Sequence, residues 1–203
     1  MIDYIEDNRK CYLVMEYVRG KSLGEYLRDG KRFSVNEIVK YGMEIADVFS
    51  YFHNRKPPVY YGDLKPDNLM MGENGRLYLI DLGGAVNGYK YQHKVCTGTT
   101  GFAAPEQYEG KINAATDIYT FGKTLSALCG KRDYLLFIRN IALFWLIFRC
   151  CMKKPEMRYQ NMQMVQKKLS RIQKRQSQSK IKNMLVLAGS STVFATIAVF
   201  LLF

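Results

Sequence analysis

The chain has 203 residues, 48% of them apolar and 24% charged, and a net charge of +12. That is enough for one cored domain plus a tail, and it excludes an intrinsically disordered chain. The five cysteines (Cys11, Cys96, Cys129, Cys150, Cys151) lack C-x-x-C spacing and there are only two histidines, which excludes a disulfide scaffold and suggests no zinc site; reduced thiols are expected.

In chain order, residues 11–17 (CYLVMEY) are apolar and β-favouring and read as a strand, which Arg19-Gly20 breaks. Ser22, with Glu25 three residues on, is a capping-box signature for a helix to Arg28. Ser34 starts the next helix, whose Ile38, Tyr41, Ile45, Val48, Phe49 and Phe52 recur at helical spacing and are expected to be buried. Pro57-Pro58 ends that unit. Residues 69–71 and 77–80 flank Glu73-Asn74-Gly75 and read as a hairpin. Glycine-rich loops run to Pro105. Helices are expected over 116–128, over the apolar 134–148, which is too short for a span and is interrupted by Arg139, and over the basic 160–172. The architecture is thus α+β and mainly helical, with a small β element between helices.

Residues 184–203 (MLVLAGSSTVFATIAVFLLF) are apolar or small throughout. Twenty residues in a helix cover about 30 Å, the thickness of a bilayer core, so one C-terminal transmembrane helix is expected. Lys167, Lys168, Arg171, Lys174, Arg175, Lys180 and Lys182 precede it with no intervening acid. Positive charge beside a span marks the cytoplasmic side and suits anionic lipid headgroups. The expectation is a single-pass cell-membrane protein with residues 1–172 cytoplasmic, a basic juxtamembrane segment over 173–183 and membrane lipids as partners. No nucleic acid is expected, because a polybasic stretch beside a span already has a sufficient cause.

The chemistry concentrates at Tyr60-Tyr61-Gly62-Asp63-Leu64-Lys65-Pro66-Asp67-Asn68, followed thirteen residues later by Asp81. One carboxylate can orient or deprotonate an attacking hydroxyl, an ammonium can offset phosphate charge, and an amide oxygen with a second carboxylate can hold Mg²⁺. Together they form a phosphoryl-transfer set.

This set resembles the bacterial-type (eukaryotic-like) Ser/Thr protein kinase family. The resemblance covers roughly residues 1–172 in order and implies a kinase-like C-lobe, ATP and Mg²⁺ (or Mn²⁺) as cofactors, and a protein substrate. It implies that Asp63 is the catalytic base, that Lys65 assists it, and that Asn68 and Asp81 bind metal and nucleotide. Asp81 stands in Asp81-Leu82-Gly83, with Leu82 where the family carries Phe. Gly98-Thr99 and Ala104-Pro105-Glu106 resemble the substrate loop and the A-P-E motif, so Thr99 would touch Asp63 and Lys65. Glu16 and Val18 resemble the hinge whose backbone binds adenine. Asp117 would hold the catalytic-loop backbone, and Arg158 would pair with Glu106.

Three departures carry expectations. Only fifteen residues precede Glu16, too few for the Gly-rich loop and strand Lys of an N-lobe. Met1 is therefore expected to be internal to a longer chain, and these residues alone are expected to bind MgATP poorly. Tyr61 and Gly62 stand where the family has His and Arg, so no guanidinium awaits a phosphorylated activation loop, and activity is expected not to need one. The region between Leu128 and Phe148 is short, which implies a reduced substrate-docking surface. Besides a membrane-anchored protein kinase, the chain fits a non-catalytic pseudokinase or truncated scaffold that binds a partner, or its missing N-lobe, on an exposed cleft face. It also fits a small-molecule kinase on the same fold.

Overall fold

The structure is a computed structural model that describes residues 3–7, 10–88, 98–130 and 140–179. It opens with an antiparallel hairpin of β1 (Asp3–Asp7) and β2 (Lys10–Val14), registered from Asp3↔Val14 to Asp7↔Lys10. The expected strand over 11–17 is corrected here. Pairing stops at Val14, and the chain beyond it is irregular, with Tyr17 84% exposed.

β3 (Gly20–Ser22) leads into α1 (Leu23–Arg28). At this junction Ser22 Oγ accepts from Glu25 N, and Ser22 N donates back to the Glu25 carboxylate. The same reciprocal box opens α2 (Val35–His53), where Glu37 N donates to Ser34 Oγ at 3.2 Å and Ser34 N donates to Glu37 Oε2 at 2.8 Å. Each box satisfies backbone donors that the first helical turn cannot. Ser34→Ala is expected to lower stability by about 1 kcal/mol, read as a lower urea midpoint with an unchanged slope.

The buried stripe of α2 runs through Ile38, Val39, Gly42, Ile45, Ala46 and Phe49. Of the expected face, Ile38, Tyr41, Ile45 and Phe49 are buried and Phe52 is partly buried; the stripe also takes in Gly42 and Ala46, small residues that admit close neighbours. A Cβ at Gly42 would stand 3.3 Å from Leu169 and 3.4 Å from Leu125. Val48, expected to be buried, is exposed at the edge of a shallow hollow that Leu69, Leu77 and Leu79 also line.

Two small pairings frame the middle of the chain. β4 (Val59–Tyr60) pairs with β7 (Val86–Asn87), and β5 (Leu69–Gly72) pairs with both β3 and β6 (Leu77–Leu79). The β5–β6 hairpin turns at Gly75, whose φ of +72° is a conformation glycine adopts without strain. These pairings set residues 61–68 and 80–85 side by side, with Ile80 N donating to Asn68 O at 2.9 Å.

Helices follow: α3 (Ala114–Cys129), α4 (Ile141–Cys150) and α5 over residues 162–179. α3 and α4 meet at Gly122, where a Cβ would lie 2.6 Å from Cys150 Cβ. α5 buries Met162, Val165, Leu169 and Ile172, one helical stripe, and continues past the expected end at 172 through helix-favouring Lys, Arg and Gln. Of the helix expected over 134–148, residues 134–139 lie outside the described residues; the rest is α4, capped by Asn140. Among the described residues no helix is long and apolar enough to cross a membrane. The span expected at 184–203 lies outside the described residues.

Candidate active site

The segment 61–68 is gripped from below by the N-terminal half of α3. Asp117, fully buried, accepts Tyr61 N at 3.1 and 3.0 Å through its two oxygens and Gly62 N at 2.7 Å. His53 Nε2 donates to the same carboxylate at 2.8 Å. Gln107 Nε2 donates to Gly62 O at 2.8 Å, and Thr124 Oγ1 donates to Leu64 O at 3.1 Å. Both faces of the loop backbone are therefore satisfied by side chains from other elements, which leaves its own side chains fixed in direction. Gly62 has φ +73°, the left-handed region, so glycine holds this turn without strain.

Above this base stands a triangle. Thr99 donates to Asp63 Oδ1 from its N at 3.0 Å and from its Oγ1 at 2.6 Å. Lys65 Nζ donates to Asp63 Oδ2 at 3.1 Å and to Thr99 Oγ1 at 2.8 Å. Asp63 and Lys65 side chains are 18% and 22% exposed, so both are reachable yet partly desolvated. A carboxylate held this way beside an ammonium can orient a hydroxyl and take its proton while the cation faces developing phosphate charge.

Asn68 and Asp81 flank the triangle. Asn68 Nδ2 donates to Asp63 O at 3.0 Å and to the Tyr61 hydroxyl at 3.1 Å, which leaves the amide oxygen as its acceptor. The Tyr61 hydroxyl donates in turn to Ile80 O at 2.8 Å, tying the loop to the residue before Asp81. Burial pushes the Tyr61 hydroxyl far above its usual value, so it stays a donor at any working pH. Asp81 is exposed, has φ +61°, and accepts from Gly83 N at 3.1 Å through Oδ1. An amide oxygen and a carboxylate are hard donors of the kind Mg²⁺ takes, as part of a set completed by phosphates and water. No cluster of three or more His, Cys, Asp or Glu side chains placed to hold a metal occurs among the described residues.

Residues 1–188 match the family described as the protein kinase domain. The chain belongs to the protein kinase family. A probable serine/threonine-protein kinase of Clostridium acetobutylicum is 31% identical to this kinase chain over 194 residues, 82% of this chain and 29% of that protein. Serine/threonine-protein kinase PknG of Mycolicibacterium smegmatis is 43% identical over 119 residues, 58% of this chain and 14% of that protein. Aurora/IPL1-related protein kinase 2 of Caenorhabditis elegans is 36% identical over 120 residues, 59% of this chain and 39% of that protein. The chain thus spans well under half the length of each of these relatives.

Away from the triangle, Arg158 and Glu106 form a buried pair, Nη1 to Oε1 at 2.6 Å and Nη2 to Oε2 at 2.8 Å. Arg158 also donates to the carbonyls of Met152, Ala115 and Lys153 and stacks 4.8 Å over the Tyr119 ring. Glu16 and Val18 are not brought to this kinase loop. They line a separate hollow with Gly72, Glu73, Asn74 and Tyr78, and none of Asp63, Lys65, Asn68 or Asp81 lines it. His53, Gln107, Thr116 and Thr124 support the site and belong to no motif quoted from the sequence. Their partners lie 64, 45, 10 and 60 residues away, and only His53, at helical spacing from Phe49 on a buried stripe, offered a hint.

Proposed function

We propose that the chain is the C-lobe portion of a bacterial-type Ser/Thr protein kinase, anchored in the cell membrane by residues 184–203, with residues 1–172 on the cytoplasmic side. The observation that carries the catalytic reading is the Asp63–Lys65–Thr99 triangle on a loop clamped by Asp117.

Asp63 orients the acceptor hydroxyl and receives its proton as the hydroxyl oxygen bonds to the γ-phosphorus and the bond to the ADP oxygen breaks. Lys65 faces the charge on the transferring group. Asn68 and Asp81 would hold Mg²⁺ or Mn²⁺, which when bound neutralises phosphate charge. The backbone at Glu16 and Val18, which stand apart from Asp63 and Lys65, would take adenine, the end of ATP farthest from the transferred phosphate. Thr99 stands where the acceptor peptide must pass, since it already bonds both reacting-side groups.

The acceptor class is tested by incubating the natural protein with γ-labelled ATP, Mg²⁺ and a basic-protein substrate, then hydrolysing the product. Label on phosphoserine or phosphothreonine is expected; label confined to phosphotyrosine or a small molecule overturns the reading. Because Gly62 offers no cation to a phosphorylated loop, Thr97→Ala is expected to keep most of the activity. Complete loss of activity in that variant contradicts this independence.

A further inference from the structure

α4 is apolar on both sides. Leu143, Leu146, Ile147 and Cys150 face the core, yet Ile141, Trp145 and Phe148, at i, i+4 and i+7, are 53%, 54% and 49% exposed. A helix with apolar side chains around its whole girth is normally covered, and a cluster of this kind facing outward marks a contact surface. The Trp145 and Phe148 rings pack edge-on, 5.4 Å apart, and form one raised ridge.

The neighbouring surface is basic. A groove beside Trp145 is lined by Lys168, Arg171 and Arg175 of α5, three exposed cations at helical spacing, and among the described residues no carboxylate lines it. Aromatic side chains beside lysine and arginine are what an anionic lipid surface selects: the rings sit at headgroup depth and the cations meet lipid phosphates. A protein partner would need an acidic and apolar face of matching shape, for which nothing else in the chain calls.

Position agrees with this. Ser179, the last described residue of α5, is five residues before Met184, where the twenty-residue apolar run starts. Five residues of chain reach at most about 18 Å, so a span at 184–203 holds the end of α5 close to the headgroups. Arg175 is one helical turn from that end, with Arg171 and Lys168 behind it on the same face.

We propose that the α4–α5 face is a membrane-docking surface, which lays the kinase on an anionic leaflet with Trp145 and Phe148 in the interface and Lys168, Arg171 and Arg175 on lipid phosphates. It rests on the anchored-kinase reading for its cytoplasmic orientation, and it gives the lobe a fixed attitude to the membrane rather than a tether alone.

Trp145 is the single tryptophan of the chain and reports its own depth. The full chain is reconstituted into vesicles of phosphatidylcholine, or of phosphatidylcholine with phosphatidylserine, each with brominated acyl chains as quencher. Strong quenching and a blue-shifted emission are expected in the anionic vesicles, at least twofold weaker quenching in the neutral ones, and loss of the difference in the Lys168→Glu, Arg171→Glu, Arg175→Glu variant. That variant is expected to keep its unfolding midpoint, because all three side chains are exposed. A chain that floats with both vesicles while Trp145 stays unquenched overturns the docking surface and leaves the anchor standing; the ridge then belongs to a protein partner or a second copy. Equal quenching in both lipids, unchanged by the charge reversal, also overturns it. Flotation and quenching with anionic vesicles alone upholds the surface and overturns the span.

Discussion

Arg158→Ala is expected to lower the unfolding free energy by about 3–5 kcal/mol. The guanidinium is fully buried and the Glu106 side chain is only 7% exposed. Removing the cation leaves a buried carboxylate with, among the described residues, only the Thr116 hydroxyl as a side-chain partner, and it takes one hydrogen bond from each of three backbone carbonyls. Urea denaturation reads the loss directly; a change under about 1 kcal/mol would show that the pair is not a structural tie.

The same pair gives the stability curve an acid limb. Burial alone would raise the Glu106 carboxyl, but hydrogen bonds from Arg158 and Thr116 and the charge of Arg158 outweigh it and hold the group below its usual value of 4.5. A depressed folded-state value means the contribution is complete above the unfolded value and fades as pH falls through the folded one. Glu106→Gln should therefore flatten the stability profile below that usual value and leave the slope near neutrality unchanged.

The second large effect falls on catalysis. Asp63→Asn is expected to reduce turnover by about 10²–10⁴-fold, the range over which positioned acid–base groups act. Asn keeps an oxygen for Thr99 but places an amide NH₂ against Lys65 Nζ, donor against donor, and it cannot accept a proton. Because Asp63 is partly exposed and its loop is held by Asp117, Gln107 and Thr124 rather than by its own side chain, the fold should survive the change.

Much of the local structure was legible because its causes are local. Ser22 with Glu25 and Ser34 with Glu37 cap helices within four residues, and the β5–β6 turn is set by Asn74-Gly75. On α2 the apolar periodicity found Ile38, Tyr41, Ile45 and Phe49 but not Gly42 or Ala46, and at Gly42 the absent side chain lets Leu125 of α3 and Leu169 of α5 approach. β4 and β7 are two residues each, too short for any alternation, and exist only because the chain returns to pair them. The site was legible in part by another route. Thr99 and Asp117 reach the Gly62-Asp63 loop from 36 and 55 residues away, and no periodicity predicts that; only likeness to the kinase motifs brought them onto one list. His53 and Gln107 belong to no motif quoted from the sequence, so their grip on Asp117 and Gly62 emerged from the fold alone.

The central claim, that the Asp63–Lys65–Thr99 triangle is a phosphoryl-transfer centre, is tested most directly by comparing kcat for MgATP-dependent transfer to protein serine or threonine in the natural protein and in its Asp63→Asn form. The account predicts that kcat falls by about 100-fold or more while the KM for ATP and the unfolding midpoint stay close to those of the unaltered protein. An Asp63→Asn protein that transfers phosphate at an undiminished rate would contradict it.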